Sequence, residues 1–247
     1  MKNLAKVLAA ALVAVFLLTN AVYAETIVDR YVGATPTKNY GPWDVIGNSD
    51  YFDISKVSVT ANEEFYFFDI YTAFADDVGV KDVELGDLFI STDGWKPFGN
   101  ATYKLDDASN GETWEYALVI DNHLSKTGGT WNLYSVDSAI TMAYHHSGSF
   151  RENQEVLYNA AGQQSLASGN WSLSDDYLRF MIDYDLLNGG VLALTNSADN
   201  YGFHWSMTCG NDVIEGSFKP VPEPATMFLL GSGLVGLGVI KRKKKIA

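Results

Sequence analysis

A single cysteine, Cys209, stands in the 247 residues, so no internal disulfide can form and an exported domain of this sequence must be held by its core or by a metal ion. Positive charge is almost as scarce away from the two ends. Residues 25–220 hold ten Lys and Arg against 29 Asp and Glu, a net charge of −19. Nucleic acid requires a cationic footprint, and this balance excludes it as a partner. Histidine numbers four: His145 and His146 are adjacent and would point to opposite faces of a strand, while His123 and His204 stand alone. No Cys/His cluster has zinc spacing. A Gly-x-Ser-x-Gly elbow is missing, which removes the usual setting of a Ser-His-Asp nucleophile. Neither an internal repeat nor a long helical period occurs between the ends.

The ends are rich in what the middle lacks. Lys2 and Lys6 precede a twelve-residue apolar run, Val7 to Leu18, and then the small-residue pattern Val22-Tyr23-Ala24. That order is a secretory signal peptide over residues 1–24, cut by signal peptidase after Ala24; the run is too short for the roughly 18 apolar residues of a membrane span. At the other end Val221-Pro222-Glu223-Pro224 leads into an apolar stretch and then into Lys241, Arg242, Lys243, Lys244 and Lys245. As a helix, Ala225 to Ile240 would rise about 24 Å, slightly less than the hydrocarbon thickness. The basic cluster would stay in the cytoplasm and leave the prolines at the outer membrane edge in extended, protease-readable backbone. Gly231-Ser232-Gly233-Leu234-Val235-Gly236 matches a dinucleotide fingerprint by letter only, since no strand precedes it and the chain ends eleven residues later.

The Pro-Glu-Pro signature, the short Gly-containing hydrophobic segment and the basic end, residues 221–247, resemble the tail of PEP-CTERM proteins of Gram-negative bacteria. The resemblance implies an exosortase-like membrane enzyme as processing partner. It also implies transient anchoring in the inner membrane by a C-terminal transmembrane sorting helix, followed by placement at the cell surface or in the extracellular matrix. Two internal phrases, Gly86 to Trp95 and Gly202 to Asp212, resemble segments of the same group and imply a shared type of extracellular domain.

Residues 25–220 suffice for one core. Alternation is clear in Thr113 to Asp121 and in Leu178 to Tyr184, and further strands are expected at Glu64 to Thr72, Asp87 to Ser91, Thr130 to Val136, Ala139 to His145, Val191 to Leu194 and Gly202 to Cys209. Between Phe52 and Val59 the apolar positions are 52 and 54, then 57 and 59. A β-bulge near Ser55 and Lys56 would absorb that change of phase. The segment from Phe65 to Tyr71 is apolar on both faces, so it is either central and covered or presents aromatic surface to a ligand. The expected fold is all-β, an antiparallel β-sandwich or jelly-roll-like domain. Within it Trp205, Met207 and Cys209 share a face turned away from His204, which argues against a Cys-His nucleophile.

Chemistry is thinly marked. Asp76, Asp77, Asp82, Glu84 and Asp87 crowd twelve residues with the oxygen ligands that calcium selects, though without EF-hand spacing. They are the candidates for a structural calcium ion. Among 29 acids almost any pair can be nominated for a glycosidase. Asp183 and Asp185, two apart on one strand face with Arg179 nearby, have a spacing that could suit, and surface salt bridging explains them equally well. Trp43, Trp95 and Trp171 lie in turn-like contexts where rings could stack on sugars. Sequons at Asn100 and Asn170 permit glycosylation. Only Thr35-Pro36-Thr37 fits the Thr-x-Thr pattern of ice-binding faces. The balance favours a non-catalytic surface or biofilm-matrix protein that binds extracellular polysaccharide. A carbohydrate-active hydrolase using a carboxylate pair is the alternative.

Overall fold

The computed structural model describes residues 23–29, 45, 47–96, 113–136, 140–142, 154–195 and 198–220. The expected signal peptide up to Val22, the sorting tail from Val221 onward, His145, His146, Trp43 and the Asn100 sequon lie outside them. Ala24–Pro220 makes one compact unit. Its strands are β1 (Tyr23–Val28), β2 (Ile54–Ala61), β3 (Phe65–Thr72), β4 (Leu88–Ser91), β5 (Tyr116–Ile120), β6 (Gly128–Ser135), β7 (Ile140–Met142), β8 (Glu155–Tyr158), β9 (Ala167–Leu173), β10 (Tyr177–Asp183), β11 (Tyr201–Ser206) and β12 (Val213–Phe218). Helix among the described residues is confined to single turns, such as Ser49–Phe52 and Tyr184–Leu187.

Ten strands form one sheet in the order β1-β2-β3-β10-β9-β6-β5-β4-β11-β12, and β7 pairs with β8 separately. Every pair from β2 to β12 in that sheet is antiparallel. The all-β expectation is met, but strands expected to divide between two facing sheets run continuously in one. The sheet curls until it is almost barrel-shaped. Phe68 of β3 meets Phe203 of β11 at 4.9 Å and Phe218 of β12 at 5.7 Å. The Asp212 carboxylate before β12 accepts from the Ile54 amide of β2 at 2.6 Å and from the Val213 amide at 3.0 Å. A single curled sheet solves the edge problem much as a barrel does, because its outermost strands come together.

Strand alternation explains which residues face inward. Tyr66, Phe68 and Ile70 on β3, Leu178, Phe180 and Ile182 on β10, and Leu118 and Ile120 on β5 are all buried. The expected bulge is present: the β2–β3 register shifts between Ile54 and Lys56, so Ile54, Val57 and Val59 all reach the core. Strand β9 begins Ala-Ser-Gly because the Trp131 indole lies against it. A Cβ at Gly169 would overlap that ring, whose Nε1 donates to the Asn170 and Met181 carbonyls. Gly169→Ala is expected to lower stability by about 1–3 kcal/mol through overpacking. An unchanged unfolding temperature of the full chain would show that the indole has room to move.

The outer face of the sheet differs along its length. Across β4, β5 and β11 it is covered by a second small core of Phe89, Trp114, Ala117 and Tyr158, with Trp95, Tyr134 and Ile140 packed against it. Across β2, β3 and β10 the outer residues Lys56, Phe67, Tyr71, Tyr177, Arg179 and Met181 keep partial exposure. The two internal phrases of the sequence are neighbours here. Ser91 pairs with Gly202, Ile90 with Phe203 and Phe89 with His204, and the Trp205 Nε1 donates to the Gly86 carbonyl. Val191 to Leu194, expected as a strand, is a turn and loop after the helical turn at Tyr184–Leu187.

Candidate functional site

Antiparallel register brings aromatic residues of β3 and β10 together on the exposed face. Tyr71 lies opposite Tyr177, Asp69 opposite Arg179 and Phe67 opposite Met181. The Tyr71 and Tyr177 ring centroids are 5.3 Å apart. The Arg179 guanidinium lies 5.1 Å from both the Phe67 and Tyr177 centroids and is held in a two-pronged ion pair with Asp69 at 2.6 and 2.7 Å. The hydrogen bond to Asp69 raises the Arg179 pKa, so the charge is fixed. Lys56 on the adjacent strand places its Nζ 4.3 Å from the Tyr71 centroid. Burial and the Asp69 charge push the Tyr71 phenol up, which keeps its hydroxyl a neutral donor at neutral pH. The result is a row of half-buried rings clamped by cation–π contacts, with polar groups between them.

Beside this strip is a hollow of about 430 Å³, lined by Tyr71, Lys56 and five acids: Asp50, Asp76, Asp77, Asp175 and Asp176. Asp175 and Asp176 come from the turn entering β10, Asp76 and Asp77 from the turns that follow β3, and Asp50 from the helical turn before β2. Among the described residues no group of three or more His, Cys, Asp or Glu converges as a metal centre. The acids expected to share a calcium ion are not drawn together. Asp76 and Asp77 line the hollow, whereas the chain turns away through Lys81 and Asp82, both at positive φ. The Glu84 backbone amide donates to Thr208 Oγ1 at 2.8 Å. Asp87 is fully buried, and its carboxylate accepts from the Ile120 amide, the Tyr158 amide and His123 Nε2.

That Asp87–His123 pair was invisible as an isolated aspartate and an isolated histidine. Burial pushes the Asp87 carboxyl up, while the hydrogen bond and charge of Asp87 outweigh burial at His123 and hold the imidazole above its ordinary value. His204, also isolated in sequence, is fully buried in the second core between Phe89 and Trp114. Its Nε2 donates to the Glu155 carbonyl at 2.7 Å, and its Nδ1 lies 3.4 Å from Glu215 Oε1, an ion-pair distance without hydrogen-bond alignment. Cys209 is buried in the turn after β11, as expected, and burial pushes its thiol up to about 12. Such a thiol is unreactive.

The glycosidase pair is not built. Asp183 and Asp185 do not share a strand face, because Asp183 ends β10 and its carboxylate caps the following helical turn by accepting from the Asp185 amide. Arg179 is engaged by Asp69 instead. Two of the three tryptophans named for sugar stacking are described, and both are engaged: Trp171 is 2% exposed and donates to Asp121, and Trp95 is half-buried and donates to Glu215. Among the described residues the partly exposed aromatic strip is formed by Phe67 and Tyr71, whose sequence signal was an apolar strand with no polar face, and by Tyr177 at the start of the alternating strand beside it.

A family model described as the PEP-CTERM protein-sorting motif matches residues 220–243, which include Val221, Pro222, Glu223, Pro224, Lys241, Arg242 and Lys243. No curated protein and no solved structure matches the chain. The chain carries a PEP-CTERM sorting motif, the mark of an exported protein processed by a membrane exosortase. No helix among the described residues is long and apolar enough to cross a membrane.

Proposed function

We propose that this is a non-catalytic surface or biofilm-matrix protein of a Gram-negative bacterium whose residues 25–220 bind extracellular polysaccharide on the open face of the sheet. Signal peptidase cuts after Ala24, the sorting helix holds the tail in the inner membrane with Lys241 to Lys245 inside, and an exosortase reads Val221 to Pro224. The domain limits suit this processing, since the Lys219 amide just after β12 donates to the Glu25 side chain of β1 at 3.0 Å. The curled sheet then packs wall against wall in the manner of a sandwich.

The observation that carries the binding reading is the strip of Phe67, Tyr71 and Tyr177 stiffened by Arg179. Sugar rings offer apolar C–H faces and a rim of hydroxyls, and an aromatic row with interleaved Asp and Arg answers both at low cost in side-chain entropy. Removing both tyrosine rings, Tyr71→Ala with Tyr177→Ala, is expected to weaken retention on insoluble polysaccharide by about ten- to a hundredfold, the equivalent of roughly 1–3 kcal/mol. The measurement is a depletion isotherm of the full chain in mild detergent on chitin and on cellulose. A folded double variant that is retained like the parent places the glycan elsewhere.

A further inference from the structure

The strip and the acidic hollow share a wall. Tyr71 belongs to both, and Asp175 and Asp176 immediately precede Tyr177 in the chain. Charge on this face is lopsided. Five carboxylates line the hollow against one ammonium, Lys56, which already lies over the Tyr71 ring. The other cation of the strip, Arg179, is neutralised by its two bonds to Asp69. A polymer of uronic acids would meet like charge here, which costs affinity. A neutral polymer would use the rings and leave the carboxylates without a counterpart. Sugar rings bearing amines satisfy both halves of the face.

We propose that the polysaccharide recognised here is a cationic amino-sugar polymer, its rings on Tyr71 and Tyr177 and its ammonium groups in the adjoining hollow of Asp50, Asp76, Asp77, Asp175 and Asp176. This rests on the polysaccharide reading above and adds the charge of the ligand. The attraction is electrostatic and partly exposed, so it weakens as salt shortens the Debye length from about 30 Å at 0.01 M to about 8 Å at 0.15 M.

The experiment compares a glucosamine hexamer with its fully N-acetylated counterpart by calorimetric titration into the full chain in mild detergent, at low and at physiological salt. The free-amine hexamer is expected to bind at least about tenfold more tightly at low salt, with a smaller margin at physiological salt. Asp175→Asn with Asp176→Asn should remove that preference while leaving the weaker binding of the N-acetylated hexamer in place. Glu63→Gln with Glu64→Gln, which removes the same charge at the far end of β3, should keep it. Tyr71→Ala with Tyr177→Ala should weaken both sugars. Equal binding of the two hexamers, or a preference that survives in the aspartate variant or disappears equally in the glutamate variant, overturns the amino-sugar assignment and leaves polysaccharide binding standing. Binding of neither hexamer nor of insoluble polysaccharide overturns both. A polylysine of matched charge that binds as tightly and ignores the tyrosine change also overturns the assignment, since bulk charge would then suffice.

Discussion

Replacing Pro222, Glu223 and Pro224 together with alanine is expected to abolish removal of the tail and leave a slightly larger species in the inner membrane, while the parent protein reaches the cell surface or the medium. The change lies inside the sorting motif matched at residues 220–243. Signal-peptide cleavage should be unaffected, because that reaction reads the region around Ala24, about 200 residues earlier in the chain. The tail is expected to keep a hold on the bilayer in the variant, since the apolar stretch and Lys241 to Lys245 are untouched. Three alanines also favour helix where two prolines disfavour it, so the segment offered to a protease is expected to change shape as well as chemistry. The folded domain ends at Pro220 and should unfold at the same temperature in both proteins. Mass spectrometry of the protein from its host, fractionated by membrane, decides the matter. A variant processed and released like the parent, or parent protein that still carries its Lys-rich end, would sink the sorting model.

The parts of this molecule that were legible in sequence are those encoded by neighbouring residues. The slip in phase between Ile54 and Val57 announced the bulge because alternation has a period of two and leaves one residue over. The tail announced itself through a motif, a hydrophobic segment and a basic end in fixed order. The doubly apolar strand β3 was recognisable as unusual, but its use was not. Whether its second face is covered depends on which strands flank it, and its partner β10 begins more than 100 residues later. Strand β9 was missed because Ala167, Ser168 and Gly169 carry little side chain, and their smallness is explained only by the Trp131 indole across the sheet. Charged residues were hardest. Nothing adjacent to Asp69, Asp87, His204 or Glu215 in the sequence marks them as buried, yet all four are at most 7% exposed. Their partners come from other strands, so neither their burial nor their pairing has a local signature.

Glu215→Gln is expected to destabilise the full chain by about 3–5 kcal/mol at pH 6 and by distinctly less at pH 9. That range is the usual cost of removing one member of a buried ion pair and leaving the other without its counter-charge. Geometry favours the charged imidazole. His204 Nε2 must carry a proton to donate to the Glu155 carbonyl, and Nδ1 faces the Glu215 carboxylate, where a lone pair would be repelled. The doubly protonated imidazole is the form these two contacts favour. Burial alone pulls the imidazole down, but the Glu215 contact and the charges of Glu155 and Glu215 outweigh it and hold His204 above 6.5. A histidine that binds its proton more tightly in the folded state contributes full stability below its unfolded value, near pH 6.5. The contribution is lost as pH rises through the higher folded value. His123 beside Asp87 acts in the same direction over the same window, and Asp87, raised by burial, adds its loss at lower pH. The parent protein should thus unfold at a lower temperature at pH 9 than at pH 6. In Glu215→Gln the part of that decline owed to His204 should disappear while the His123 part remains, because Asp87 is intact. Thermal melts of both proteins at the two pH values test this. An equal loss at pH 6 and pH 9 would mean that Glu215 acts through packing and its bond to Trp95 rather than through the charge on His204.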